Sequence, residues 1–177
     1  MKMKKGEIWI SAVLYTAIGI IAMTLILAAG IPLINKIKDR NTFAQTKELI
    51  YVFDESVRTV ISEGLGSQRE LSPFNIQRGD FYINENSANW IMKTTALIVE
   101  PSSSSNRIVK EEGTLDIWQD ETNIRNEYNI NLGVAYRNLK FDIISDHSNP
   151  FLGEYNILVK YSEITTDGIH IIELKIT

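Results

Sequence analysis

The chain opens on an apolar block and closes on alternation. After Glu7 no charged residue occurs until Lys36. Between them lie Trp9, Ile10, Val13, Leu14, Ile18, Ile20, Ile21, Met23, Leu25, Ile26, Leu27, Ile31 and Leu33. An uncharged, apolar run of more than about 18 residues predicts a membrane-spanning helix. A helix over 8–34 would be roughly 40 Å long at ~1.5 Å per residue. That exceeds a ~30 Å hydrocarbon core, so tilt or packing against other protein must take up the excess. Pro32 has no N–H for the carbonyl of Ala28, which predicts a kink there in preference to a stop.

A second helical pattern follows the polar interval Lys38-Asp39-Arg40-Asn41-Thr42. Phe43, Ile50, Phe53, Val57, Val60 and Ile61 share one face, with Leu49 at its edge. Glu48, Glu55 and Arg58 lie away from that face, and Lys47 and Asp54 flank it. Asp54 and Arg58 are spaced for an i,i+4 ion pair. Gly64 and Gly66 end the helix. The two helical stretches read either as one helix or as two joined at 35–42; one helix from Glu7 to Glu63 would be roughly 85 Å long.

From Leu71 onward the period changes to two. Tyr128, Ile130, Leu132, Val134 and Tyr136 alternate with Asn129, Asn131, Gly133 and Ala135, the clearest strand in the chain. Further strands are expected at 79–84, 89–99, 113–118, 139–145, 154–162 and 168–176. Asp167-Gly168 marks a hairpin turn, Asn149-Pro150 a break, and Pro101 to Asn106, with its serine run, a loop. The predicted fold class is α+β: a long N-terminal helix, transmembrane then amphipathic, packed on an antiparallel β-sheet or small β-sandwich head. The segments are a basic leader at 1–6, a transmembrane helix at 7–35, an amphipathic helix at 36–63 and a β-rich head at 64–177.

Composition narrows the function. The chain has 177 residues and a formal charge of −4. About 140 residues beyond the apolar block suffice for one domain with its own core. The acidity speaks against a nucleic-acid partner. There is no cysteine, hence no disulfide or thiolate metal site. Lys2, Lys4 and Lys5 before the apolar block nearly balance Lys36, Lys38 and Arg40 after it; the terminal amine tips the orientation toward N-inside with the head outside.

No catalytic or cofactor constellation is expected, and an enzyme is the weakest reading. His170 shares period two with Ile172, Leu174 and Ile176 and reads as a strand residue. Asp142, Asp146 and His147, and Asp116, Asp120 and Glu121, are close enough in sequence to consider for a cation, but neither set has an established loop spacing and both read as solvated charge. Trp90, Trp118, Tyr128, Tyr136, Tyr155 and Tyr161 are expected to pack at strand positions before forming any sticky surface. There is no Asn-X-Ser/Thr sequon.

Lys5-Gly6-Glu7-Ile8 resembles the processing site of archaeal type IV pilin-like proteins, the group with class III signal peptides. The resemblance proper covers residues 1–63. It implies that a membrane prepilin peptidase cuts after Gly6, so that the mature chain begins at Glu7 and keeps its apolar helix. It further implies self-association through the N-terminal helices into an extracellular filament for adhesion or a related surface function. Bacterial type IV pilins carry a glutamate at the fifth mature position, which here is Ser11; Glu7 supplies a carboxylate at the first, in keeping with the archaeal group. The missing Gln-first start of archaellins points to a pilus or adhesion-filament subunit. The rival readings are a single-span anchor that stays uncleaved and tethers an extracellular β binding domain, and a conventional secretory signal cleaved near Ala28-Ala29-Gly30.

Overall fold

A computed structural model describes residues 5–102 and 108–177, with side chains from Trp9 onward. The first element is helix α1, Lys5–Glu63, assigned without interruption through Pro32. A stop at Pro32, and a break at 35–42, are therefore not observed. The chain divides into two compact units, Met1–Lys38 and Asp39–Thr177. Each is described in turn.

In the first unit every described residue from Trp9 to Lys38 is solvent-exposed except Gly30, which is half-exposed. Its two threonines satisfy their own hydroxyls. Thr16 Oγ1 donates to Ala12 O and Thr24 Oγ1 to Ile20 O, each at 2.8 Å. Folding these hydroxyls back onto the helix leaves little polar demand on the surroundings.

In the second unit the last part of α1 lies on a nine-stranded sheet. The strands are β1 (Gln68–Ile83), β2 (Ser87–Thr94), β3 (Pro101–Ser102), β4 (Lys110–Glu112), β5 (Leu115–Glu121), β6 (Tyr128–Ala135), β7 (Leu139–Ser145), β8 (Phe151–Ile164) and β9 (His170–Ile176). Their order is β3-β5-β6-β2-β1-β8-β9-β7, with β4 also on β5. The fold is thus α+β, as its pattern predicts. Most pairs are antiparallel, but β3–β5 and β7–β9 are parallel.

The predicted helical face forms the core. Phe43, Ile50, Phe53, Val57 and Val60 are all buried, and Leu49 and Ile61 pack at the margin. The Phe53 ring meets Phe74 and Phe81 of β1 and Phe141 of β7, with centroids 6.0–6.2 Å apart. Phe43 meets Trp90 of β2. Strands far apart in the sheet order thus touch one helix, which requires the sheet to bend around it. The Phe141 N–H, donating to Glu85 O in the β1–β2 turn at 2.6 Å, fixes that bend.

β1 runs between β8 and β2. It pairs with β8 from Gln68 to Phe81, with register shifts between Leu71 and Phe74 and between Ile76 and Phe81, and with β2 over Asp80–Ile83. Gly79, at φ +83°, lies in the second shift. A Cβ there would sit 2.6 Å from Ile91 O and 2.7 Å from Trp90 Nε1. The close approach lets the Trp90 indole donate to Arg78 O at 2.8 Å. Only glycine fits both the backbone angle and the space.

Several boundaries differ from expectation for local reasons. The strand expected at 89–99 ends at Thr94. Residues 96–99 are instead held by the fully buried Gln119, whose Oε1 accepts from Ile98 and Val99 N–H and whose Nε2 donates to Ala96 O. The strand expected at 113–118 begins in the β4–β5 turn at Gly113 and is the first part of β5, which runs on to Glu121. Pro101-Ser102, expected as loop, forms β3; Ser103 to Asn106 lie outside the described residues. The Gly64 cap, with φ +99°, ends α1 where expected, and Gly168 forms the β8–β9 turn through its bond to Thr165 O. At the Asn149-Pro150 break, the Asn149 amide both donates to and accepts from the Ile83 backbone.

Candidate functional site: an apolar helical surface

The described feature with the largest functional consequence is the surface of the first unit. Trp9, Ile10, Tyr15, Leu25 and Ile26 are each about two-thirds exposed or more, and the large apolar residues between them are exposed as well. At ~25 cal/mol per Å² of apolar surface, leaving so many such side chains in water is strongly unfavourable. Large contiguous apolar patches on a protein mark contact with a membrane or with other protein. This helix is long and apolar enough to cross a membrane once.

Lys5, Gly6, Glu7 and Ile8 form the first helical residues described, and their side chains lie outside the described set, as do residues 1–4 altogether. The expectation of a peptidase site at these residues rests on the sequence alone. The small residues Ala12, Thr16 and Ala17 line one shallow depression of the helix surface with Trp9, Val13 and Ile20.

In the second unit two buried acids hold α1 to the strands. Asp39, 4% exposed, accepts from Arg78, from Thr94 Oγ1 at 2.8 Å and from Thr95 N–H at 3.4 Å. Asp54, 3% exposed, accepts from Arg58 Nε on both oxygens, at 2.9 and 3.0 Å, and from Thr114 Oγ1 at 2.6 Å. The Asp54–Arg58 pair is the one its spacing predicts. Asp54 was expected to flank the apolar face; it is buried there, with Thr114 and Arg58 as its hydrogen-bond donors. The Asp54 hydrogen bond raises the Arg58 pKa, working against partial burial. Burial foremost, then the Asp54 charge, raises the pKa of the Tyr136 phenol. That hydroxyl is buried beside Asp54, though no partner meets it at full hydrogen-bonding geometry among the described residues.

The acidic sets considered for a cation are spread along strands and turns. Among the described residues no three His, Asp or Glu side chains gather as ligands. Asp120 instead accepts from Asn131 Nδ2, and His147 packs edge-on against Tyr155. His170 opens β9, with its Nδ1 against the Tyr161 hydroxyl. Of the aromatics, Trp90, Tyr136 and Tyr161 are buried, while Trp118, Tyr128 and Tyr155 are half-buried.

Comparisons with protein-family models, with curated proteins and with solved structures return no match.

Proposed function

We propose that this chain is a pilin-like structural subunit, inserted in the membrane by its N-terminal helix and released into an extracellular filament after cleavage at Gly6. One observation carries the reading. A single helix is apolar and uncovered along Trp9–Ile37, then turns one face into the core of a folded head from Phe43 on. The first part needs an apolar environment around it. A bilayer provides it before processing, and a bundle of like helices provides it afterwards, through close packing at small side chains. The Lys5-Gly6-Glu7-Ile8 motif supports the reading by placing the cut just ahead of the apolar segment, so that this segment is retained.

The test is the intact mass and N-terminal sequence of the protein isolated from its native cells. A chain beginning at Glu7 establishes processing of the prepilin kind. A chain beginning at Met1 or Lys2, extracted as a monomer in detergent, makes the protein a tethered β binding domain instead. A start near Ile31 makes it a secreted domain. Protease protection of the head in intact cells, with digestion only after lysis, would put it in the cytoplasm and end the filament reading.

A further inference from the structure

We propose that the head binds a small carboxylate-bearing ligand in the groove between the last turns of α1, the β6–β7 connection and the start of β9. The groove has a volume of about 380 Å³. That is within the range of small-molecule sites, near its lower end. Arg58 and Ile61 line it from the helix, Tyr136, Arg137 and Leu139 from the connection, and His170 from β9. No acidic side chain lines it.

Arg58 is prepared for an acceptor that the described residues do not provide. Asp54 takes up its Nε, and the guanidinium carbon stands 5.8 Å from the centroid of the Tyr136 ring. Its two terminal amino groups make no hydrogen bond among the described residues. A guanidinium fixed through Nε presents its remaining N–H groups as a planar fork, the geometry that carboxylates accept in pairs. Arg58 is about half exposed, so a ligand can reach it.

Arg137 adds a second cation. It is exposed, and the described residues give it neither an ion pair nor a hydrogen bond. Its backbone is nonetheless fixed on both sides. Tyr136 N–H donates to Asn86 O, and Asn138 O accepts from His170 N–H, each at 2.9 Å. A cation held on a pinned bend loses less freedom on binding than one on a free loop. His170 has Nδ1 committed to Tyr161, which leaves Nε2 as its free nitrogen. Ile61 and Leu139 supply apolar wall beside these polar groups.

Charge matching selects the ligand class. Asp54 offsets Arg58, so Arg137 leaves the groove a net charge of about +1. That suits a monoanion better than a dianionic phosphate. The mixture of apolar wall, imidazole nitrogen and Asn138 amide suits a carboxylate carried on a hydroxylated ring. The inference rests on the head alone, and its outcome is independent of whether the chain is cut at Gly6.

The test uses the full chain in detergent micelles, titrated with sodium glucuronate as the probe and followed by NMR or calorimetry. Glucose and inorganic phosphate are the controls. Saturable millimolar binding of glucuronate is expected, with no binding of glucose and weaker binding of phosphate. Arg137→Ala, an exposed change that leaves the fold intact, should weaken glucuronate at least tenfold. Arg58→Lys, which keeps the charge over Asp54 but removes the planar fork, should weaken it similarly. The proposal fails if glucuronate does not bind, if phosphate binds equally well, or if Arg137→Ala, with an unchanged melting temperature, leaves binding intact.

Discussion

Asp39 and Thr94 are joined by a hydrogen bond of 2.8 Å between Oδ2 of the first and the hydroxyl of the second, tying α1 to the end of β2. Arg78 donates to the other oxygen of Asp39, so one buried carboxylate gathers donors from β1, from β2 and from the residue after it. Asp39→Asn would turn an acceptor-only group into one that presents N–H to at least one of those donors. Removing one partner of a buried charged network costs about 3–5 kcal/mol. Because Arg78 is half exposed, a loss of about 2–3 kcal/mol is expected, read from urea unfolding followed by tryptophan fluorescence. Unchanged stability would mean that the network contributes nothing.

Gly79→Ala should be among the most damaging single-methyl additions in the head. The positive φ alone costs of order 1 kcal/mol for a residue with a Cβ, and the Cβ would meet the Ile91 carbonyl at 2.6 Å. A carbonyl within the β1–β2 pairing cannot swing away as a side chain could. A loss of at least about 2 kcal/mol is expected in thermal unfolding. Gly153, also at positive φ but with open space around it, provides the comparison. Gly153→Ala should bear only the backbone cost.

These two positions show what the sequence makes legible. The helical face from Phe43 to Val60 is plain because one solvent-averse side recurs every three or four residues. The Gly64 and Asp167-Gly168 ends are plain because turn chemistry is local. The first half of β1 is not, since Arg69, Glu70, Ser72 and Pro73 carry no alternation and only β8 makes them a strand. The parallel pairing of β7 with β9 is equally hidden, because register between distant segments leaves no local mark. The Asp54–Arg58 pair is legible from its spacing, but the burial of Asp54 and the role of Gln119 are not. Their partners, Thr114 for one and the 96–99 backbone for the other, come from distant segments. The groove around Arg58, Arg137 and His170 joins three segments that nothing in their spacing connects.

Glu112 predicts an acid response. Its carboxylate is bound by Lys110 and by Lys47, and the Lys110 hydrogen bond, followed by that of Lys47, lowers its pKa from 4.5 to about 2. A lowered folded-state pKa gives stability that is present above pH 4.5 and is lost as the pH falls from there toward 2. Glu112→Gln should flatten the dependence of melting temperature on pH in that window. Added salt should shrink the difference between the two proteins, since the ion pairs are partly exposed. An identical acid profile for both would remove Glu112 from the account.

Tyr136→Phe is expected to leave the fold as stable or to stabilise it by up to about 1 kcal/mol. The change removes a buried hydroxyl that faces Asp54 without full hydrogen-bonding geometry, while keeping the ring against Phe141. The same substitution should alter the alkaline limb. A phenol whose pKa is raised by folding contributes stability below its unfolded value near 10, and that contribution is lost as the pH climbs beyond it. The variant should therefore tolerate alkali better in a melting series from pH 9 to 11. A loss of stability at pH 7 would mean that the hydroxyl does bond to Asp54.

The place of β9 in the sheet has a consequence for the order of events during synthesis. β7 leaves the ribosome before β8 and β9, yet its ladder partner is β9, the last strand of the sheet in chain order. The Phe53 ring is enclosed in part by Phe141 of that waiting strand. Closure of the head is thereby postponed until β9 has emerged. A chain interrupted after β8 would expose β7 and one side of Phe53, making incomplete copies distinguishable to a protease from finished ones.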